Sequence, residues 1–130
     1  MPVAAASAYL WVAFGGAIGS VCRFGLGLAM LRLTGPRYPW GTLLINVLGS
    51  FVIGYFGELS RATGRLPVSE EIRIFVLVGF CGGFTTFSSF SLQTLDLFRV
   101  GPPGLAASYI AASVALCLAA VYLGVVLGKV

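Results

Sequence analysis

The side chains that could do chemistry in this chain are neutral hydrogen-bonding groups set among apolar neighbours. Histidine is absent, and with it the commonest general base and a major metal ligand. The four carboxylates, Glu58, Glu70, Glu71 and Asp96, are too spread for a paired acid–base site, and no nucleophile has a base placed to activate it. Enzyme chemistry is therefore not expected. Cys22, Cys81 and Cys117 are an odd count within apolar stretches and read as small buried residues. What stands out instead is a set of polar and small residues inside the apolar runs. Thr42, Asn46 and Ser50 step by four, one polar stripe on an otherwise apolar helix, and Tyr109, Ser113 and Cys117 repeat that step later. An amide in hydrocarbon is costly unless partnered, so Asn46 either joins helices or touches a permeant species.

The densest cluster runs from Gly79 to Ser91, with three glycines, two threonines and three serines in thirteen residues. Such a stretch makes a poor continuous helix, because the glycines weaken it and the hydroxyls compete for backbone bonds. Irregular backbone at membrane depth survives where it is buried in protein or lines a wet or ion-filled cavity, and carbonyls freed there can hold a cation. The competing reading is a packing face of small residues, Gly79 to Gly83. Phe84, Phe87 and Phe90 lie three apart and are expected on one face. Phenylalanines so spaced pack a helix, or turn the positive edges of their rings to an anion. Arg23 is the one charge inside an apolar run, a functional group or a snorkelling side chain.

These residues need elements to hold them, and composition says which. Of 130 residues, 58% are hydrophobic and 9% charged, against roughly 45–50% and 25% in a soluble domain. So short a chain cannot bury that much apolar surface in water. Lipid removes the difficulty. Four runs reach the roughly 20 residues that cross a bilayer core about 30 Å thick. The spans are expected at about 9–31, 40–58, 71–97 and 104–128, in a single four-helix membrane domain covering 1–130. Gly35 to Pro39, Arg61 to Pro67 and Gly101 to Gly104 are the loops; Trp40 anchors at an interface, and Ser69 caps the third helix ahead of Glu70 and Glu71. The N-terminus lacks a basic region and Ala4 to Ala8 precede the apolar run, so a cleaved leader is not expected. The eight Lys and Arg, net charge +4, are scattered and form no surface for nucleic acid. Four of them (Arg61, Arg65, Arg73, Lys129) fall on one side of the membrane and three (Arg32, Arg37, Arg99) on the other. That margin is too small to fix one orientation, so either a dual or a single topology is open.

Taken together, the motifs resemble the Fluc family of bacterial fluoride channels. The matching segments are Gly15-Gly16-Ala17-Ile18-Gly19 with Arg23, Gly41-Thr42-Leu43 through Asn46 to Gly49, and Gly82 through Phe90; the likeness runs from about Val12 to Leu127. It implies an all-α membrane protein with four transmembrane helices, the third broken, assembled as a dual-topology antiparallel homodimer in the bacterial inner membrane. It implies a fluoride-selective channel that exports cytoplasmic fluoride, with a structural sodium ion at the dimer centre. By matching positions, the backbone carbonyls of Gly82 and Thr85 hold the sodium. Phe87 and Phe90 face fluoride with their ring edges, and Asn46 donates to the ion or to a ring. Thr42, Ser88, Tyr109 and Ser113 line the polar path, and Arg23 shapes a vestibule. Cys117 stands where the family commonly has a serine. The rival reading is a small multidrug-resistance-type cation transporter, which needs a carboxylate in the middle of its first span; this chain has none there. A third is a non-conducting helix-packing subunit, in which the glycines serve assembly alone.

Overall fold

Three of the four apolar runs wind into one continuous helix each in the computed structural model, which describes residues 5–130, and the third is helical on both sides of a two-residue interruption. Residues 1–4, where the small-residue stretch read against a leader begins, lie outside the described part. The helices are α1 (Ala5–Thr34), α2 (Trp40–Leu59), α3 (Glu70–Val100) and α4 (Pro103–Lys129), each long and apolar enough to cross a membrane. They outrun the expected spans by up to four residues at an end, because backbone hydrogen bonding does not stop where charge begins. Local chemistry sets the ends. Gly35 takes φ +76° and donates its N–H to the Leu31 carbonyl at 2.9 Å, a left-handed stop to α1. The Ser69 hydroxyl accepts from the Ile72 N–H at 3.4 Å, and a proline begins α4.

Helix α3 changes character along its length. After one α turn, Glu70–Arg73, it widens to a π-helix over Ile74–Phe80 and tightens again at Cys81–Phe84. Thr85 (φ −83°, ψ 158°) and Thr86 (φ −152°, ψ 116°) are extended, and α-helix resumes at Phe87–Val100. Glycines at 79, 82 and 83 give little helical preference to resist this, and β-branched threonines favour extended backbone. Thr86 serves as the new N-cap, its hydroxyl accepting from the Ser89 N–H at 3.2 Å. The two extended residues overturn one expectation. Phe84 does not share a face with Phe87 and Phe90, since helical periodicity does not carry across non-helical residues. Phe84 is buried and stacks on Phe80 at 5.6 Å, whereas Phe87 pairs with Phe90 at 5.4 Å.

Small residues let the helices meet. α1 lies against the π segment and the Cys81–Phe84 turn, and α2 lies along α4. A Cβ on Gly19 would sit 2.2 Å from the Phe80 carbonyl oxygen, and one on Gly54 would sit 2.4 Å from that of Val121. Neither space exists. Close backbone approach of this kind holds helices together where lipid supplies no hydrophobic force between them. The buried cluster is small: Leu43, Leu97, Ala106 and Tyr109, flanked by Tyr38, Val47, Phe90 and Ala112. Phe14, Phe24, Phe87 and Tyr122 are mostly exposed, an exterior suited to hydrocarbon.

Candidate functional site

The extended pair in α3 releases backbone groups, and side chains from α1 and α2 answer some of them. Asn46 on α2 meets Thr86 twice: its Oδ1 accepts from the Thr86 N–H at 2.8 Å, and its Nδ2 donates to the Thr86 carbonyl at 3.0 Å. Arg23 on α1 donates through Nε to the Gly83 carbonyl at 3.0 Å, joined by the Ser20 hydroxyl at 3.4 Å. The Cys81 carbonyl accepts from both the N–H and the hydroxyl of Thr85, at 3.0 and 2.8 Å. Among the described residues, no hydrogen bond reaches the carbonyls of Gly82 or Thr85. Neutral carbonyl oxygens at the edge of an open groove are hard ligands, of the kind a cation can use. No group of three or more His, Cys, Asp or Glu that could hold a metal occurs among the described residues.

That groove, about 490 Å³, brings together Asn46, Gly82, Thr85, Phe87, Phe90 and Ser113, with Cys117 one turn beyond Ser113 on α4. Phe87 is 79% exposed along it, and Phe90 is half-buried. Ser113 is only 7% exposed, and its hydroxyl has no hydrogen-bond partner. Helical hydroxyls ordinarily bond back to the preceding turn. Ser91 does so to Phe87, and Thr94 to Phe90. Ser113 does not.

A second cavity, about 640 Å³, is lined by Arg23, Thr42, Thr86, Gln93 and Asp96 among others. Thr86 borders both spaces, so its pairing with Asn46 stands at the partition between them. Thr42 therefore opens toward Arg23 and not into the groove, although it shares a stripe with Asn46. One step of four turns the helix through 400° and raises it about 6 Å, enough to change the cavity a side chain meets.

Two expected members of the polar path stand outside both linings. Ser88 is exposed, its hydroxyl 3.3 Å from that of Thr86. Tyr109 is fully buried against Tyr38 and Phe90, and its hydroxyl donates to Gln93 Oε1 at 2.9 Å. Gln93 and Ser20 escaped the sequence reading. Each left a faint signal: an amide within an apolar run, and a serine three residues before the one intramembrane arginine.

Known proteins resemble this chain over most of its length. A family profile described as "CrcB-like protein, Camphor Resistance (CrcB)" matches residues 10–125, which include every residue of the groove and the break. The fluoride-specific ion channel FluC of Methylocella silvestris is 55% identical over 116 residues, 89% of this chain and 88% of its own length. That of Opitutus terrae is 52% identical over 118 residues, 91% and 89% of the two chains. The Gluconobacter oxydans protein of the same name is 56% identical over 117 residues, 88% and 80%. A profile match reaching into all four helices, with relatives more than half identical over most of their lengths, decides it: this chain belongs to the CrcB-like family.

Proposed function

We propose that this protein is a fluoride-selective channel that lets cytoplasmic fluoride leave a bacterial cell across its inner membrane, lowering fluoride toxicity. The observation that carries the reading is the Ser113 hydroxyl, buried and unpartnered in a groove edged by Phe87, Phe90 and the Asn46 amide. A polar group left without a protein partner is costly unless something else meets it. Fluoride is small, strongly hydrated and a strong acceptor, so a pore has to replace its water with donors. Ser113 offers an O–H, and Asn46 retains a second N–H beyond the one given to Thr86. The positive ring edges of Phe87 and Phe90 add to them. None of these bears a fixed charge that would trap the ion. Arg23 and Thr42 stand in the adjoining cavity, a water-filled approach, and the names of the relatives point the same way.

One copy leaves the groove open along Phe87. A second, antiparallel copy closes it, crossing the first at the broken third helices and making two pores. Added side-chain atoms at Gly82 would meet nothing within 4 Å in the single chain, which leaves room for that crossing. The Gly82 and Thr85 carbonyls of both copies would hold the sodium ion, whose positive charge ties the two breaks together. The cation-transporter alternative lacks its carboxylate in α1, and nothing in the groove is acidic.

The test is flux. Purified protein in liposomes dissipates a fluoride gradient and leaves a chloride gradient standing. Comparable chloride flux would sink the reading.

A further inference from the structure

Helix ends leave carbonyls without partners, and at the end of the Cys81–Phe84 turn these are not treated alike. The Gly83 oxygen takes two donors from α1, Arg23 Nε at 3.0 Å and Ser20 Oγ at 3.4 Å, while the Gly82 and Thr85 oxygens take none among the described residues. The donors sit three residues apart on one face of α1. Their reach depends on contact between backbones: a Cβ on Gly83 would lie 2.4 Å from the Gly16 carbonyl oxygen, so α1 passes directly against this turn. A guanidinium is a rigid, planar, permanently charged donor, and a charge-assisted bond from it fixes an acceptor more firmly than a neutral one does.

We propose that Arg23 is a positioning residue for the cation site: with Ser20 it draws the Gly83 carbonyl toward α1, so that the nearby carbonyls of Gly82 and Thr85, two residues that border the groove, stay free to take a cation. This gives Arg23 a task apart from shaping the vestibule, and it rests on the sodium reading above. The sign of its effect separates the two tasks. A positive charge acting only through space opposes a nearby cation, so removing it strengthens sodium binding. A positioning donor does the reverse, because its loss frees the Gly83 carbonyl and loosens the turn that presents its neighbours.

The experiment measures how much sodium the purified full-length protein needs for half-maximal thermal stabilisation, with N-methylglucamine holding ionic strength constant. Loss of one charge-assisted bond in Arg23→Gln raises that concentration about tenfold. Arg23→Lys, which keeps the charge and loses the planar fork, shifts it in the same direction by less. Ser20→Ala, which loses only the longer bond, shifts it by about threefold and serves if the arginine variants do not assemble. A midpoint that is unchanged or lowered in Arg23→Gln overturns the proposal, as does an unchanged midpoint in Ser20→Ala. A wild-type protein indifferent to sodium overturns it together with the sodium site, while fluoride flux in liposomes would still support the channel.

Discussion

Phe87 and Phe90 sit one turn apart and face different constraints. Phe90 packs its ring 5.2 Å from that of Tyr109, within the small buried cluster, whereas Phe87 is mostly exposed along the groove. Phe90→Ile therefore costs about 1–3 kcal/mol of fold stability as well as flux, because a packed ring is lost. Phe87→Ile costs little stability in the single chain and still lowers fluoride flux steeply, since the ring edge goes while apolar volume remains. Thermal unfolding and liposome flux, measured on both variants, read the two effects separately; normal flux in Phe87→Ile would make it a packing or lipid-facing residue. Ser113 allows a sharper version of the same test. Its hydroxyl has no partner, so Ser113→Ala removes an unmet polar group and stabilises the fold by about 1 kcal/mol. If that hydroxyl meets the permeant ion, the more stable variant conducts less. A variant both more stable and fully conducting would show that the hydroxyl takes no part in permeation.

At the scale of the element, α3 is the part whose sequence and structure are hardest to separate. Gly82 and Gly83 are neighbours in one turn, yet an added Cβ meets open space at 82 and the α1 backbone, 2.4 Å away, at 83. Gly83→Ala should destabilise the single chain by on the order of 1–3 kcal/mol, because α1 cannot withdraw cheaply. Gly82→Ala should leave the single chain intact, and its effect falls on assembly, where a second copy would use that space. Thermal melts beside a cross-linking assay of dimer distinguish the two; equal destabilisation by both substitutions would mean that the open face at Gly82 is not an assembly surface. The contrast also shows how far sequence reaches. Apolar runs, the Ser69 cap and the weak helix between Gly79 and Ser91 were legible, because hydropathy, capping and glycine content act locally. Partnerships across helices were not. Asn46 reads as an amide needing a partner, but only the fold shows that the backbone of Thr86 supplies it. Arg23 reads as an intramembrane charge, and nothing in its spacing points to the Gly83 carbonyl. The shared face assigned to Phe84 failed because the two threonines after it leave the helix, and periodicity cannot count across them.

At the scale of the whole molecule, basic charge is nearly balanced between the two sides that four spans define. Arg61 pairs with Glu58 at 3.2 Å on one side, and Arg99 with Asp96 at 3.6 Å on the other. Arg73 donates to the Ser60 hydroxyl at 2.6 Å and to the Gly57 carbonyl at 3.2 Å, at the C-terminal end of α2. Arg65 reaches the Leu127 carbonyl near the end of α4 at 3.4 Å. Cations at helix C-termini satisfy orphan carbonyls and the negative end of the dipole, a role that works whichever way the bundle lies. With four basic residues against three in the loops and ends, insertion has little to choose by. Both orientations are therefore expected in one membrane, the condition an antiparallel pair requires. Thr63 lies exposed in the loop between α2 and α3, and Thr63→Cys tests this directly. The background has Cys22, Cys81 and Cys117 replaced by alanine, since Cys22 is itself exposed within its span. A membrane-impermeant maleimide applied to sealed cells should label roughly half of the protein, and the rest only after permeabilisation, if balanced charges leave orientation undecided. Adding one arginine to that loop, at Ala62, makes the counts five against three and should drive the labelled fraction toward one extreme. Fluoride flux should then fall, because chains of a single orientation cannot form the antiparallel pair. Labelling from one side only in the starting protein would instead mean a fixed topology, and the groove along Phe87 would have to be closed by a parallel copy or by lipid.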